Sequence, residues 1–391
     1  MSQQYREPGG AHVTDRFQKR DGSDSALKVR LEAEGKSLRD YKRWRVRWVD
    51  VNGRQKTRDF MRKAEAQRFT DETNSAILRS EYIDARAGRT TILDLYKEWE
   101  PTTVVAEKTR YNRKSTWKNH LLPQWGDRPV STIKKTEVQA WITEAHRNGT
   151  GVATLEQARA LLRLIFKHAV ESERILANPA AGIKLPSAPE KERYFLTVQQ
   201  VQALAEAVGE HYSTLILTLA TTGLRFGEVS ALRVMDVDFD RSRLEVRKAF
   251  SDVGGKLVEG LPKSGKTRSV GFPSHLREGI ERHTVHKGPM DRVFTTLEGY
   301  LLRKENFRDR VFHPAKREAS ETLGTPLPPI TIHDLRHTAA SLAISSGANV
   351  KVLQRMLGHA TADMTLNRYG HLFESDVDSV ATRMNQLFAG G

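Results

Sequence analysis

The sequence predicts a multidomain, mainly α-helical protein with small β-sheets, and three observations lead there. At 391 residues the chain exceeds what one small core organises. Its apolar residues recur at helical spacing over most of 88–186, whereas 44–60 and 243–272 read as strands and turns. The run Lys184-Leu185-Pro186-Ser187-Ala188-Pro189-Glu190-Lys191-Glu192-Arg193 has the prolines and charge of an interdomain linker. The expected order is a flexible segment over 1–37, a ββ(β)α domain over 38–84, a helical domain over 88–184, a linker over 185–193 and an α+β domain over 194–391.

Residues 1–37 are polar and charged without sustained periodicity, which predicts poor order. In Trp44-Arg45-Val46-Arg47-Trp48-Val49-Asp50 the alternation is strict, with Trp44, Val46 and Trp48 on one face and Arg45 and Arg47 on the other. Asn52-Gly53 is a hairpin turn signal, and 54–60 reads as the return strand. From Lys63 to about Glu81 the pattern turns helical, with Phe69, Thr73, Ala76 and Ile77 on one face. The resulting ribbon carries Arg45, Arg47, Arg54, Lys56 and Arg58 as candidate DNA contacts, since a two-stranded ribbon fits the major groove. A solvated sheet face is the competing reading. Helices are predicted over 91–99, 108–122, 136–146 and 154–172. The second bears Lys108, Arg110, Arg113, Lys114 and Lys118, which would contact phosphates without selecting sequence. The last carries a core stripe of Leu155, Ala158, Leu162, Ile165, Phe166 and Ala169, and Asn178-Pro179 ends the region. Thr197 and Gln200 have capping-box spacing at the start of the next helix.

Lys+Arg 63 against Asp+Glu 48 gives a net charge of +15, which points to a polyanionic partner, nucleic acid being the commonest. With no cysteine, disulfides, zinc–thiolate sites and a cysteine nucleophile are excluded. No apolar run approaches the ~18 residues of a membrane helix and no signal-peptide core is present, so a cytosolic protein without membrane attachment is expected.

The last half of the chain holds two arginines, two histidines and a tyrosine in order: Arg225, His333, Arg336, His359 and Tyr369. Arginines can neutralise a phosphate gaining charge, histidines can move protons, and a tyrosine oxygen can attack phosphorus, so the set can handle a phosphodiester without metal or cofactor. Gly223 is placed to end the apolar helix containing Leu215, Ile216, Leu217 and Leu219, leaving Arg225 at the start of the next. An Arg225–Glu228 ion pair is the bland alternative and is compatible with catalysis. His333 and Arg336 share a helix face. His333 and His337 also have zinc-ligand spacing, but Asp334 stands where a metalloprotease has its glutamate, and Arg336 would put a cation beside the metal. His337 is therefore expected to be structural, oriented by a backbone or carboxylate partner. His359 sits at a glycine turn, and Tyr369, before Gly370, at a helix end.

The stretches Thr222-Gly223-Leu224-Arg225-Phe226-Gly227-Glu228, His333-Asp334-Leu335-Arg336-His337-Thr338, Leu357-Gly358-His359 and Arg368-Tyr369 resemble the motifs of the tyrosine recombinase (phage integrase) family. The resemblance is specific over about the last half of the chain and softer over the rest. It implies an arm-type DNA-binding domain at 38–84, a core-binding domain at 88–184 and an α+β tyrosine recombinase catalytic domain. It also implies a site-specific integrase that cuts DNA through a 3′-phosphotyrosine intermediate. Arg225 and Arg336 would hold the phosphate, His333 or His359 would assist proton movement, and Tyr369 would be the nucleophile. A lysine that protonates the leaving oxygen is implied within Leu261-Pro262-Lys263-Ser264-Gly265-Lys266-Thr267-Arg268, with Lys263 ahead of Lys266. Implied partners are duplex attachment sites of core and arm type, a homotetramer on DNA, a host DNA-bending protein and an excision factor. The tail from Glu374 to Phe388 has Val377, Val380, Met384 and Leu387 at helical spacing, for docking on a neighbour or packing at home. A type IB topoisomerase-like enzyme and a non-catalytic DNA-bridging or regulatory protein are the alternatives.

Overall fold

The computed structural model describes residues 10–49, 55–78, 87–187 and 192–373, with 384, 385 and 388. The Asn52-Gly53 turn, Arg54, residues 188–191 of the 185–193 linker and nearly all of the 374–391 tail lie outside the described residues. The chain divides into two units, Met1–Ala188 and Pro189–Gly391.

The first unit opens with β1 (His12–Asp15) and α1 (Ala26–Ala33), where a flexible segment was expected. β1 pairs antiparallel with β2 (Trp44–Val49), Val13 opposite Val46. Ser25 caps α1 by accepting from the Lys28 amide, and Leu31 and Phe17 are buried. These few apolar residues set no periodicity, so tertiary pairing rather than local pattern orders the segment. β2 pairs with β3 (Gln55–Phe60), and α2 (Lys63–Leu78) packs on the sheet. Val46 and Trp48 are buried, with Phe69 edge-on to Trp48 at 5.4 Å.

The helices that follow are α3 (Ile92–Trp99), α4 (Glu107–Thr116), α5 (Leu122–Trp125), α6 (Lys135–Arg147) and α7 (Val152–Glu171). The predicted stripe on α7 is buried throughout. Tyr96 of α3 stacks on Trp117 at 4.1 Å. Between α4 and α5 the chain makes one π-turn, Trp117–Leu121. Pro123 has no N–H for the Asn119 carbonyl, so the hydrogen-bond ladder changes register there.

The second unit contains α8 (Val198–Ala207), α9 (Glu210–Thr222) and α10 (Phe226–Ala231), then β4 (Val237–Asp238), β5 (Arg243–Val246), β6 (Ala249–Val253), β7 (Lys256–Gly260) and β8 (Arg268–Gly271). After these come α11 (Arg277–Thr284), α12 (Lys304–Phe307), α13 (His313–Leu323), α14 (Asp334–Ser345), α15 (Val350–Leu357) and α16 (Ala362–Tyr369). β4, β5 and β8 form one antiparallel sheet, and β6 and β7 a separate hairpin. The capping box read at Thr197 and Gln200 is formed, with the two bonds at 3.2 and 3.0 Å. A core of Leu204, Leu215, Leu219, Val229, Leu244, Phe312 and Leu335 joins the helices to the sheet. α14 lies against α9, so their ends, and the residues there, meet. Among the described residues, no helix is long and apolar enough to cross a membrane.

Candidate active site

The site grows from two chain turns and one close backbone approach that glycine makes possible. α9 ends at Gly223, in the left-handed region at φ 66°, where an added Cβ would sit 2.7 Å from Leu357 Cδ2. α15 ends at Gly358, also at φ 66°, against the side chain of Arg268, with Cδ 2.9 Å from the position of a Cβ. Gly227 lets the β6 backbone approach so closely that a Cβ would overlap the Phe250 carbonyl oxygen. Three separate stretches of sequence are thereby drawn together.

Arg336 is 2% exposed. Its Nη1 donates to the Gly223 carbonyl at 2.6 Å and its Nη2 to the Leu357 carbonyl at 2.5 Å. Both acceptors stand at helix C-termini, where unpaired carbonyls and the helix dipole favour a cation. Burial, followed by repulsion from Arg225 and offset by Glu228, lowers its pKa to about 9, which leaves it charged at neutral pH. Two of the five guanidinium N–H groups are committed to these carbonyls, and others remain for a phosphate.

Arg225 caps α10. Its amide donates to Glu228 Oε2 at 2.9 Å and its Nη1 to Oε1 at 2.8 Å. The sequence reading anticipated that pair but not its third member. Arg268, at the start of β8, donates to both oxygens of Glu228 at 3.0 and 2.7 Å and to the Met356 carbonyl at 3.1 Å. Burial alone would raise the Glu228 carboxyl, yet Arg268 and then Arg225 hold it at about 2. Arg225 keeps about a quarter of its side chain exposed.

His333 stands at the N-cap of α14 with an exposed face. Crowding by protein atoms, then by His337, Arg336 and Lys304, pulls its imidazole down to about 4, and the exposed face moderates that pull. His359 is buried after Gly358, and its Nδ1 lies 3.0 Å from Thr365 Oγ1. Its main chain is clasped by Gln354, which accepts from the His359 amide and donates to its carbonyl. Burial, then Arg336, Arg368 and Arg225, bring its imidazole to about 4 as well.

Tyr369 closes α16 with no exposed surface. It packs with Ala340, Ile344, Leu353 and Leu357, and partly with Phe195, Leu372 and Phe373. Its hydroxyl lies 2.7 Å from Nδ1 of His337. The expectation that His337 pairs with backbone or carboxylate is thus corrected, because its partner is the tyrosine. Among the described residues, no group of three or more His, Cys, Asp or Glu side chains is placed to hold a metal ion. Burial raises the Tyr369 pKa, against the opposing charges of Arg336, Arg368, Arg193 and Arg225.

Lys263 lies on the exposed turn between β7 and β8, where Gly265 donates to the Pro262 carbonyl at 2.8 Å. Among the described residues no bond joins Lys263 or Lys266 to the arginines or histidines. The basic residues of the first unit divide. Arg45 is chelated by Asp59 at 2.7 and 2.8 Å. Arg58 and Lys56 lie opposite Val46 and Trp48, on the face that packs against α2, and Arg58 covers Phe69 at 4.9 Å. Arg110 bonds Glu100 and the Thr103 carbonyl, Arg113 covers Trp99 and Lys108 covers Tyr111. Arg47, Lys114 and Lys118 are exposed. The ribbon therefore does not present its cations on one face, because cross-strand neighbours share a face and two of them pair with core residues.

The second unit thus gathers a buried Arg336, a part-exposed Arg225, the adjoining rings of His333 and His337, His359 and a buried Tyr369, a set of the kind suited to phosphodiester transfer. Residues 194–376 match the phage integrase family and 92–185 the phage integrase central domain. The integrase of Mycobacterium phage L5 is 30% identical over 311 residues, covering 78% of this chain and 81% of that protein. That of Mycobacterium phage D29 is 29% identical over the same length. The Tn1549 transposon integrase bound to transposon right end DNA superposes with TM-score 0.67 at 21% identity, over 76% of this chain and 100% of that one. A lambda integrase tetramer bound to a Holliday junction gives 0.56 at 19% identity, over 81% and 93%. The chain belongs to the phage integrase family and is a site-specific tyrosine recombinase.

Proposed function

We propose that the chain integrates or excises a mobile element, such as a phage genome, with Tyr369 as the nucleophile. The phenolic oxygen attacks a DNA phosphodiester, the phosphorus–O5′ bond breaks, and a 3′-phosphotyrosine and a free 5′-hydroxyl result. Arg225 and Arg336 hold the non-bridging oxygens, where preorganised cations count most as charge builds. His333 and His359 border the same phosphate, and Lys263 or Lys266 protonates the departing oxygen from its exposed turn. A 5′-hydroxyl from another strand reverses the step, and one phosphodiester replaces another of similar energy. A homotetramer supplies the four sites that two duplexes need.

Core-type DNA falls to the helical region, with Lys114 and Lys118 facing outward, and arm-type DNA to the N-terminal sheet through Arg47. A host bending protein and an excision factor complete the proposed assembly in the bacterial cytoplasm. One observation supports the reading above the others: the buried Tyr369 hydroxyl lies 2.7 Å from His337 Nδ1, in a setting where Arg336, Arg368, Arg193 and Arg225 favour its ionised form. The test is covalent trapping on nicked attachment-site DNA, read on a denaturing gel. A shifted band that disappears with Tyr369→Phe is expected. A band that survives this substitution would mean another nucleophile.

A further inference from the structure

Tyr369 needs a proton acceptor. An unperturbed phenol ionises near pH ~10, and burial pushes this one higher, so attack at neutral pH requires a base in contact with the hydroxyl. Of the three histidines around the tyrosine, His359 has its Nδ1 engaged by Thr365, and its ring lies parallel to the phenol at 6.4 Å between centroids. His333 sits at the exposed mouth and meets the His337 ring edge-on at 5.2 Å. His337 alone among them is within hydrogen-bond distance of the phenol, at 2.7 Å.

We propose that His337 is a catalytic base of strand cleavage, accepting the Tyr369 proton at Nδ1 as the phenolic oxygen attacks phosphorus. The inference rests on Tyr369 being the nucleophile. With its own proton on Nε2, neutral His337 offers Nδ1 as an acceptor. As the step proceeds the Tyr369 O–H bond breaks and its proton passes to Nδ1. The oxygen–phosphorus bond forms, and the phosphorus–O5′ bond breaks with its electron pair going to the leaving oxygen, which a separate acid protonates.

The surroundings suit that role. Burial keeps the resting imidazole neutral by lowering its pKa, assisted by Arg368 from α16, Arg193 from the segment before α8, and Arg336 from its own helix. Asp334, one turn earlier on α14, acts in the opposite sense and stabilises the imidazolium that cleavage creates. The hydroxyl and its acceptor are assembled before phosphate arrives.

His337→Asn decides the matter, because its amide oxygen can take the place of Nδ1 as an acceptor without being basic. Covalent-complex formation is compared with wild type on ordinary DNA and on DNA whose scissile phosphate carries a bridging 5′-sulfur, a leaving group that needs no proton. The expected result is unchanged DNA binding with cleavage about 10²-fold slower on both substrates. The gap should close as pH rises from about 7 to about 9 and the phenol ionises unaided. Equal rates would overturn the proposal. So would a defect on the oxygen substrate alone, which would assign His337 to the leaving group, or faster cleavage, which would make the bond a mere restraint.

Should the variant lose DNA binding, the wild-type pH profile still decides. A rate that is level above the imidazole range supports the base, and a rate rising through about pH 9 overturns it. Failure of wild type to form any complex, or a complex retained by Tyr369→Phe, would strike the nucleophile assignment itself, and so separates the two failures.

Discussion

The arginines of the catalytic unit and the basic side chains of the first unit carry the same charge and do different things. In the second unit Arg336 is buried and Arg268 largely so, and each is aimed by several acceptors before any substrate arrives. In the first unit Lys114 and Lys118 are exposed and lie one turn apart on the helix surface. Fixed cations lose no freedom when phosphate binds, and low dielectric magnifies their field. Exposed lysines act through released counterions and are screened by salt. Placement rather than charge separates chemistry from affinity.

Arg336→Lys should give the largest effect. An ammonium cannot span the Gly223 and Leu357 carbonyls while presenting a flat fork to phosphate. Covalent-complex formation should fall by about 10²-fold or more, with DNA binding much less changed. A single-turnover cleavage assay checks it, and a lysine variant that cleaves like wild type would break the contrast between aimed and unaimed cations.

Glu228→Gln should come next, and its effect should be on stability. The neutral amide leaves Arg225 and Arg268 without their shared anion, at a cost of about 3–5 kcal/mol for a broken buried pair. The pH dependence has a definite sign. Because the folded carboxyl is held at about 2, its stabilisation is full above the unfolded value of about 4.3 and is lost as pH falls toward 2. Urea denaturation of both proteins should therefore show their difference shrinking between about pH 5 and about pH 3. A constant difference would mean that Glu228 acts through packing.

Much of this was legible in the sequence and some was not. The order Arg225, His333, Arg336, His359, Tyr369 marked the candidate site, because each residue sits in a short stretch whose glycines and helix ends are local properties. The long-range pairings were not local. His337 meets Tyr369 across 32 positions, and Arg268 meets Glu228 across 40. No spacing rule predicts either, so His337 read as structural and Arg268 only as part of a strand. In the first unit, sequence counted charges but could not tell which were already satisfied, as Arg45 is by Asp59. β1, with only Val13 as an apolar residue among His12, Thr14 and Asp15, is a strand because β2 offers it an edge.

The smallest effect sharpens the comparison from the exposed side. Replacing Lys114 and Lys118 together by alanine should leave the folded state nearly unchanged, since both side chains project into solvent. If both contact phosphates, the slope of log affinity against log salt should fall by about 2, with cleavage at saturating DNA unaltered. Arg113→Ala, next to Lys114 in sequence but different in its contact, should behave oppositely. It strips the guanidinium from the Trp99 face at 5.3 Å and should cost about 0.5–1 kcal/mol of stability, with little change in salt slope. Titrations at several salt concentrations, alongside thermal melts, separate the two outcomes. If Arg113→Ala instead lowers the slope as a lysine does, its packing against Trp99 gives way when DNA binds, and side-chain contacts in the free protein are a poor guide to which cations reach phosphate.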